Sequence, residues 1–386
     1  MVAIKGRKSS NKNPPIMSHE FVIQNHADIV SCVAMVFVVG LMVQVTSPWA
    51  YTFIAIHHNV SSLISLDGSV EPQPIKYTTG WKDACAVFFY FLITIVMHAV
   101  IQEYIFDVGI LAKVSKRLRL SKSKLSKFNE SSQLVVFYAL SVIWGIDIIV
   151  RERFIFNIPA LWTDYPAPMS FSLKLFFVGQ LAYWLHCYPE LYFQKAKKEE
   201  IPNRVFQATV GLVYTLGAYV LNFQNFGVIL LVLHHAGEGL LHGARLVHFA
   251  DQKEKASKAA FLLANSTFLV ARLATLLISA LVIIYGLGQI NSGLNIAEGY
   301  FNTPAIRYGA FAAVAVFQFY MLYVFLKYQY KRAGENQVPV VSKVKVLKQK
   351  PKKKEASKKS GGSEDEVDSD QGTRKSVRSR SSTKAK

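Results

Sequence analysis

The chain has 386 residues, of which 51% are hydrophobic and 13% aromatic, and its formal net charge is +19. The charges are segregated from the apolar residues, because residues 327–386 alone hold 18 Lys and Arg against 7 Asp and Glu. This segregation excludes a single soluble domain and predicts a membrane protein with a polar terminal segment. The three cysteines lie in or beside apolar runs, which argues against a disulfide framework.

Long apolar runs follow one another along the chain, each about the 20 residues that a helix needs to cross a bilayer. They predict an all-α polytopic transmembrane helical bundle of about eight spans. In chain order the predicted spans are Ile29 to Thr46, Gly80 to Ile101, Ser132 to Val150, Phe171 to Tyr188, Val205 to Leu221, Phe226 to Ala244, Phe261 to Gln289 and Pro304 to Leu326.

Basic residues in the connecting loops predict how the bundle is oriented. With a cytosolic N-terminus, the cytosolic segments before the tail hold 19 Lys and Arg, whereas the opposite side holds 4. We therefore expect both termini in the cytosol. The predicted regions are a cytosolic N-terminal segment (1–28), two helices with a lumenal loop (29–111), a domain of six helices (112–330) and a disordered basic tail (331–386).

Asn59 opens the sequence Asn-Val-Ser in the longest predicted lumenal loop, which makes it a candidate N-glycosylation site. An unmodified loop residue is the alternative. Two further sequons begin at Asn129 and Asn265, but the predicted topology puts the first in the cytosol and the second inside a span. Neither is expected to carry a glycan.

Ionisable side chains inside predicted spans form a candidate site, because such residues are costly in lipid and usually face a protein interior or a wet cavity. In the sixth span, His234, Glu238 and His242 follow one another at four-residue spacing and share one helical face. His235 lies one step aside. Arg272 lies near the middle of the seventh span and needs a partner, for which Glu238 and Asp147 are the candidates.

Three interpretations of this group remain open. It can be a structural hydrogen-bonded network, helped by the close helix approach that Gly239 and Gly243 allow. It can be a site for a lipid or peptide headgroup. It can also be a metal or catalytic site, since His and Glu at helical spacing can ligate a cation when other ligands join them. The chain contains no phosphate-binding loop, nucleophile elbow or dinucleotide fingerprint.

Four long segments resemble the family of translocating chain-associated membrane proteins, TRAM. They are SHEFVIQNHADIVSCVAMVF at 18–37, HAVIQEY at 98–104, SKFNESSQL at 126–134 and AYWLHCYPELYFQKAKKEEIP at 182–202. The resemblance implies a multi-pass protein of the endoplasmic reticulum beside the Sec translocon, in contact with signal peptides, nascent polypeptides and membrane lipids. It also implies that the six-helix region 112–330 is a TLC domain, which the family shares with the ceramide synthases.

The synthase pattern allows a comparison position by position. Asn222, Gly227 and His234 match it, whereas the departures fall on the polar positions that carry the chemistry. These departures are Asn225, His235, Glu238 and His242, together with Gln207 and Ala208, which stand where the synthases have a His-His pair. Acyl transfer to an amine needs a base, and His suits that role near neutral pH. We therefore expect no enzymatic activity and no cofactor, with a ceramide-synthase-like lipid-binding or lipid-modifying protein as the alternative.

The basic loop from Lys113 to Lys127 and the tail can bind polyanions. Anionic lipid headgroups and, at a translating channel, ribosomal RNA are the candidate partners. The alternative is that these charges only set the topology and keep the tail solvated. Ser363 and Ser369 lie among acidic residues and are candidate phosphorylation sites, where added negative charge would weaken a polyanion contact.

Overall fold

A computed structural model describes residues 15, 18–60, 75–107, 113, 117–118, 122–250 and 255–337. Ser363, Ser369, most of the predicted tail and residues 114–116 and 119–121 of the basic loop therefore lie outside the described residues. The chain divides into two compact units, 1–327 and 328–386, and the described residues of the second, 328–337, are helical. The contacts that form the bundle and its sites lie within the first unit.

The described chain is an all-α bundle with one small sheet. The helices are α1 (His19–Gly40), α2 (Ser47–Ile54), α3 (Asp83–Val100), α4 (Lys122–Arg151), α5 (Phe171–Phe193), α6 (Ile201–Val220), α7 (Gln224–Ala250), α8 (Lys255–Ser279) and α9 (Pro304–Gln337). Single π-helical stretches continue α3 over Ile101–Asp107 and α8 over Ala280–Gly286. The strands are β1 (Asn59–Val60), β2 (Lys76–Tyr77) and β3 (Met169–Ser170).

The helices account for all the predicted spans. Within the described residues, six helices are long and apolar enough to cross a membrane, namely α1, α3, α4, α7, α8 and α9 with their extensions. The other two predicted spans coincide with α5 and α6, which have 23 and 20 residues and hence sufficient length, but carry more polar side chains. The predicted class, a polytopic transmembrane helical bundle, is confirmed.

Helix ends differ from the predicted span ends because polar residues extend the helices beyond the apolar runs. α1 begins at His19, ten residues before the predicted span, where the Ser18 hydroxyl accepts the Phe21 amide. The helix departs from helical dihedral angles at Asn25 (φ −117°, ψ 17°), shortly before its apolar part. In the last helix of the described chain, α9, the helix continues to Gln337, past the predicted end at Leu326.

Packing is tightest where α7 lies between α4 and α8, and α3 packs on α5. The main core forms around aromatic and aliphatic side chains of α5 and its neighbours, such as Phe176, Phe177 and Val228, which are fully buried. Conversely, α1 buries only Ala34, and its Val36 side chain is 69% exposed. An apolar surface of this kind is stable in lipid but not in water, as expected for a membrane-spanning bundle.

The short sheet was not predicted from the sequence. Its order is β1-β2-β3, with Asn59 opposite Tyr77 and Lys76 opposite Ser170 in antiparallel pairs. It lies beside the first turns of α3 and α5, and we call this the sheet end of the bundle. The topology predicted above makes it the lumenal end.

A buried ion pair at the sheet end ties several elements together. Lys174 Nζ of α5 lies 2.8 Å from Asp83 Oδ1 of α3 and donates to the carbonyls of His57 and Thr78 at 2.8 and 2.7 Å. The Tyr219 hydroxyl of α6 donates to Asp83 Oδ2 at 2.8 Å. This sheet-end tie therefore holds α3, α5, α6 and the loop before α3 in fixed positions.

Candidate functional site

A cavity of about 1160 Å³ runs through the bundle and is lined by residues of α3 to α9. Its end far from the sheet is polar and includes Glu130, Glu190, Arg204 and Arg245. Toward the sheet its wall is apolar and includes Phe223, Phe226 and Ile283. The volume slightly exceeds the range typical of small-molecule sites, and the lining suits an amphiphile or an apolar peptide segment with a polar end.

The cavity reaches the outside of the bundle between α6 and α9. Four of its lining side chains there are also exposed: Phe206 (47%), Val213 (58%), Tyr320 (46%) and Val324 (44%). The two helices meet through side chains, with the Tyr214 hydroxyl donating to the Ala313 carbonyl at 2.6 Å. Aromatic pairs, Tyr214 with Phe317 and Phe206 with Tyr320, complete this seam. We call it the α6–α9 seam. Two further lining residues, Met97 of α3 and Leu140 of α4, are also exposed.

His234, Glu238 and His242 all line the cavity, as their helical spacing predicts. The guanidinium of Arg272, which is fully buried, donates from both terminal nitrogens to His234 Nδ1 at 3.1 Å. The same guanidinium donates to Gln318 Oε1 at 3.1 Å. Because His234 Nδ1 accepts these bonds, its ring proton is on Nε2. Arg272 thus ties α7, α8 and α9 together behind the cavity wall.

The expected counter-ions of Arg272 do not pair with it. Asp147 instead forms an exposed ion pair with Arg151 on α4, at 2.8 Å. Glu238 forms no ion pair within the described part of the chain and lies on the cavity wall one turn from His234. Buried Arg272 is therefore stabilised by neutral acceptors and by the Phe268 ring, 4.9 Å from the guanidinium carbon.

His235 points away from the cavity into a packed polar network. Its Nδ1 lies 2.7 Å from the Ser141 hydroxyl, which in turn accepts from Gln180 Nε2 at 2.5 Å. The Ser141 hydroxyl therefore bridges His235 and Gln180. The other ring nitrogen, Nε2, is buried without a hydrogen-bond partner among the described residues. For His235, whose ring is fully buried, this arrangement favours the network interpretation.

Asn222 lies apart from the other candidate residues. It adopts a left-handed conformation (φ 57°) in the turn between α6 and α7, at the sheet end. Its amide donates to the Gly299 carbonyl at 2.7 Å and its oxygen accepts from Gln224 Nε2 at 3.0 Å. The structure therefore gives Asn222 a turn-stabilising role and does not bring it to His234.

One polar cluster at the cavity was assigned no role from the sequence. His98 of α3 meets His186 and Glu190 of α5, with His98 Nδ1 3.2 Å from His186 Nε2 and His98 Nε2 3.2 Å from Glu190 Oε1. One donor atom from each residue lies within 4.8 Å of the others. The four-residue spacing of His186 and Glu190 was the only available signal, since the third member is 88 residues away.

Gln207 and Ala208, which stand where the ceramide synthases have a His-His pair, both line the cavity. Neither side chain can accept a proton from an amine near neutral pH. The two positions that hold the His-His pair in the synthases thus lie on the cavity wall in this chain, but their side chains have no acid–base function.

The bundle and its cavity define a class of polytopic α-helical membrane protein, and residues 127–327 match the model of the TLC domain family. Translocating chain-associated membrane protein 2 of Mus musculus is 40% identical over 352 residues, which cover 88% of this chain and 92% of the relative. Its Homo sapiens counterpart is 42% identical over 326 residues, 84% of this chain and 85% of the relative. Ceramide synthase 5 of Homo sapiens is 27% identical over 151 residues, 39% of this chain and 38% of the synthase.

The chain belongs to the family of translocating chain-associated membrane proteins. The similarity to the ceramide synthase is shorter and weaker.

Proposed function

We propose that the protein is a non-enzymatic accessory of the Sec translocon in the endoplasmic reticulum. In this role it contacts signal sequences and nascent membrane segments and assists their translocation or insertion. Membership of the family over most of the chain supports this role. In the proposed arrangement the sheet end faces the lumen, both termini face the cytosol, and Asn59 carries a glycan.

The observation that carries the proposal is the lateral opening of the cavity at the α6–α9 seam. A polypeptide segment that leaves a channel sideways is apolar, and its contacts in lipid rely on close fit and a few polar bonds. The seam offers such a surface, because exposed Phe206, Val213 and Tyr320 lead to a wall that contains His234 and Glu238. An apolar helix would first contact the aromatic side chains of the seam. Its polar residues would then reach His234 and Glu238 inside the cavity.

The cavity wall also supports the absence of catalysis. Gln207 and Ala208 provide no base, and His235 is withdrawn into the network with Ser141 and Gln180. His234 is held by Arg272 through the one nitrogen that could accept a proton. The nitrogen of His234 that could accept a proton is therefore occupied, and the ring of His235 does not line the cavity.

The test is site-specific photocrosslinking in microsomes that contain ribosome-tethered secretory chains. A photoreactive residue at Phe317, inside the α6–α9 seam, should crosslink to the signal sequence. The matched control is the same residue at Leu277, which is 71% exposed on α8 and does not line the cavity. Depletion of the protein should also reduce translocation of that substrate. Equal crosslinking from both positions, or none from Phe317 with unaltered translocation, would contradict the proposal.

The second candidate, lipid binding or lipid modification of the ceramide-synthase kind, is favoured by one observation, the polar-to-apolar gradient of the cavity wall. Acyl transfer from acyl-CoA by the purified protein, abolished by His234→Ala, would establish it. Ribosome contact through the basic cytosolic segments is compatible with either candidate. The salt dependence of ribosome binding, before and after tail deletion, tests that contact.

A further inference from the structure

We propose that His98, His186 and Glu190 form a binding site for a divalent transition metal, with Zn²⁺ as the metal. The site lies at the polar end of the cavity, where α3 meets α5, and is separate from the group around His234. It is independent of the proposed function, since a metal there can hold the two helices together whatever the cavity binds.

The protons of the cluster can be assigned from its acceptors. His186 Nδ1 lies 2.6 Å from the Tyr183 carbonyl, which can only accept, so the ring proton of His186 is on Nδ1. Its Nε2 therefore points a lone pair at His98. A carboxylate oxygen of Glu190 lies beside the other ring nitrogen of His98, Nε2. A neutral His98 has one ring proton and can donate to only one of these two groups, so both contacts are satisfied only when the cluster takes up a further proton or a metal ion that all three residues share.

Several features favour a metal over a proton. A ligating histidine usually donates its second ring nitrogen to a carbonyl or carboxylate, and the His186 bond to Tyr183 is of this kind. Two imidazoles and one carboxylate are a ligand set that zinc accepts, with the fourth position left for water. Imidazole ligands also distinguish the site from those of Mg²⁺ and Ca²⁺, which prefer oxygen.

The distances allow closure on a metal with small movements. Ligand atoms around a tetrahedral zinc lie about 3.3 Å apart, and one donor atom from each of the three residues lies within 4.8 Å of the others. Rotation of His98, whose side chain is 18% exposed, brings its donor nitrogen toward the other two ligands. Gln194, 3.4 Å from His98 Nε2, can present its amide oxygen in the fourth position after a half-turn of that amide. All four side chains line the cavity, which provides a route for entry.

The test uses the full chain, purified in detergent without a polyhistidine tag, stripped of metal by a chelator and titrated with Co²⁺. We expect one equivalent of Co²⁺ to bind with the visible absorption of a tetrahedral site, and Zn²⁺ to displace it. His186→Ala and Glu190→Gln should each weaken Co²⁺ binding by at least about 100-fold. Loss of a residue that only hydrogen-bonds to a metal ligand already lowers metal affinity by about 10–100-fold, and loss of a ligand itself should cost no less. His248→Ala is the matched control, since this histidine bonds to Ser257 away from the cluster, and it should bind Co²⁺ as the wild type does.

A ligand exchange keeps the test decisive if an alanine variant does not fold. His98→Cys supplies a thiolate that zinc and cobalt accept, so it should retain the metal and add a thiolate-to-cobalt charge-transfer band. Absence of saturable Co²⁺ binding by the wild type would overturn the proposal. So would Co²⁺ binding that Glu190→Gln leaves unchanged, or a His98→Cys spectrum without the thiolate band.

Discussion

Lys174 and Asp83 form an ion pair whose side chains are 0% and 5% exposed, so each charge depends on the other. Removing one partner would leave an uncompensated buried charge, and we expect Lys174→Met to lower the free energy of unfolding by about 3–5 kcal/mol. The double variant with Asp83→Asn should recover most of that loss, because the carboxamide oxygen can still accept from Tyr219. Thermal unfolding in detergent measures both.

The control for this prediction is Arg151→Met, which breaks the exposed pair with Asp147 on α4. Solvent-exposed pairs contribute little, so its melting temperature should match that of the wild type. A Lys174→Met protein that melts with the wild type would show that the sheet-end tie does not depend on this charge.

His58 makes the sheet end sensitive to acid. Its ring lies against Gly80, and a Cβ at residue 80 would come within 2.3 Å of it. Burial lowers the pKa of His58 below its usual value of 6.5, and the nearby positive charge of Lys174 acts in the same direction, whereas Asp83 opposes it. As the pH falls, His58 therefore takes up a proton in the unfolded chain at a higher pH than it does in the folded protein. The contribution of His58 to stability is therefore constant above pH 6.5 and decreases as the pH falls below it.

We therefore expect the melting temperature of the wild type to fall on acidification through pH 6.5, and the fall to be smaller for His58→Gln. Glutamine does not titrate, so any remaining slope belongs to other groups. Equal slopes for the two proteins would assign the acid sensitivity elsewhere.

At the scale of single elements, α6 depends on one glycine for its approach to α5. A Cβ on Gly211 would lie 2.4 Å from the ring of Trp184, which is 7% exposed and cannot move aside easily. Gly211→Ala should cost about 1–3 kcal/mol of stability through overpacking. On the same helix, a Cβ added at Gly217 would meet no atom of the described residues within 4 Å, so Gly217→Ala should be neutral or stabilising. Thermal unfolding of the pair separates packing from helix propensity, and similar losses for both would contradict the packing argument.

The helices themselves follow from the sequence, because apolar length and loop charge are properties of consecutive residues. The shared face of His234, Glu238 and His242 follows for the same reason, and all three line the cavity. Element ends were less predictable. The cap at Ser18 provides a signal for the early start of α1, but polar first turns carry no hydropathy signal.

Contacts between distant elements could not be predicted. His98 meets His186 across 88 residues, and the crossing of α3 with α5 sets that distance. Arg272 pairs with neutral His234 and Gln318 rather than with a carboxylate, because helix packing decides which acceptors it reaches. The strands, of two residues each, are too short for an alternating pattern. The match of Asn222 to the ceramide-synthase pattern likewise did not predict that this residue lies in a turn at the sheet end.

For the whole molecule, the proposed orientation makes a prediction about glycosylation. Asn59 is exposed on β1, one of the two edge strands of the sheet, and no other strand of that sheet lies on the outer side of β1. In microsomes the wild type should carry a glycan that endoglycosidase H removes, and Asn59→Gln should lack it. Asn129→Gln and Asn265→Gln are the controls and should migrate as the wild type does. A wild type without glycan, or one that loses it with Asn129→Gln, would contradict this orientation.

The sheet-end tie has a mechanical consequence for the cavity. It fixes Tyr219, near the last turn of α6, to Asp83, whereas the side of α6 that faces α9 is held by aromatic contacts and one hydrogen bond. Outward motion of α6 is then a rotation about a pivot near Tyr219. Its 20 residues make a lever about 30 Å long, so a tilt of about 10° moves its Ile201 end by about 5 Å. The gap beside α9 would open as a wedge, widest at the end remote from the sheet and nearly closed at the pivot.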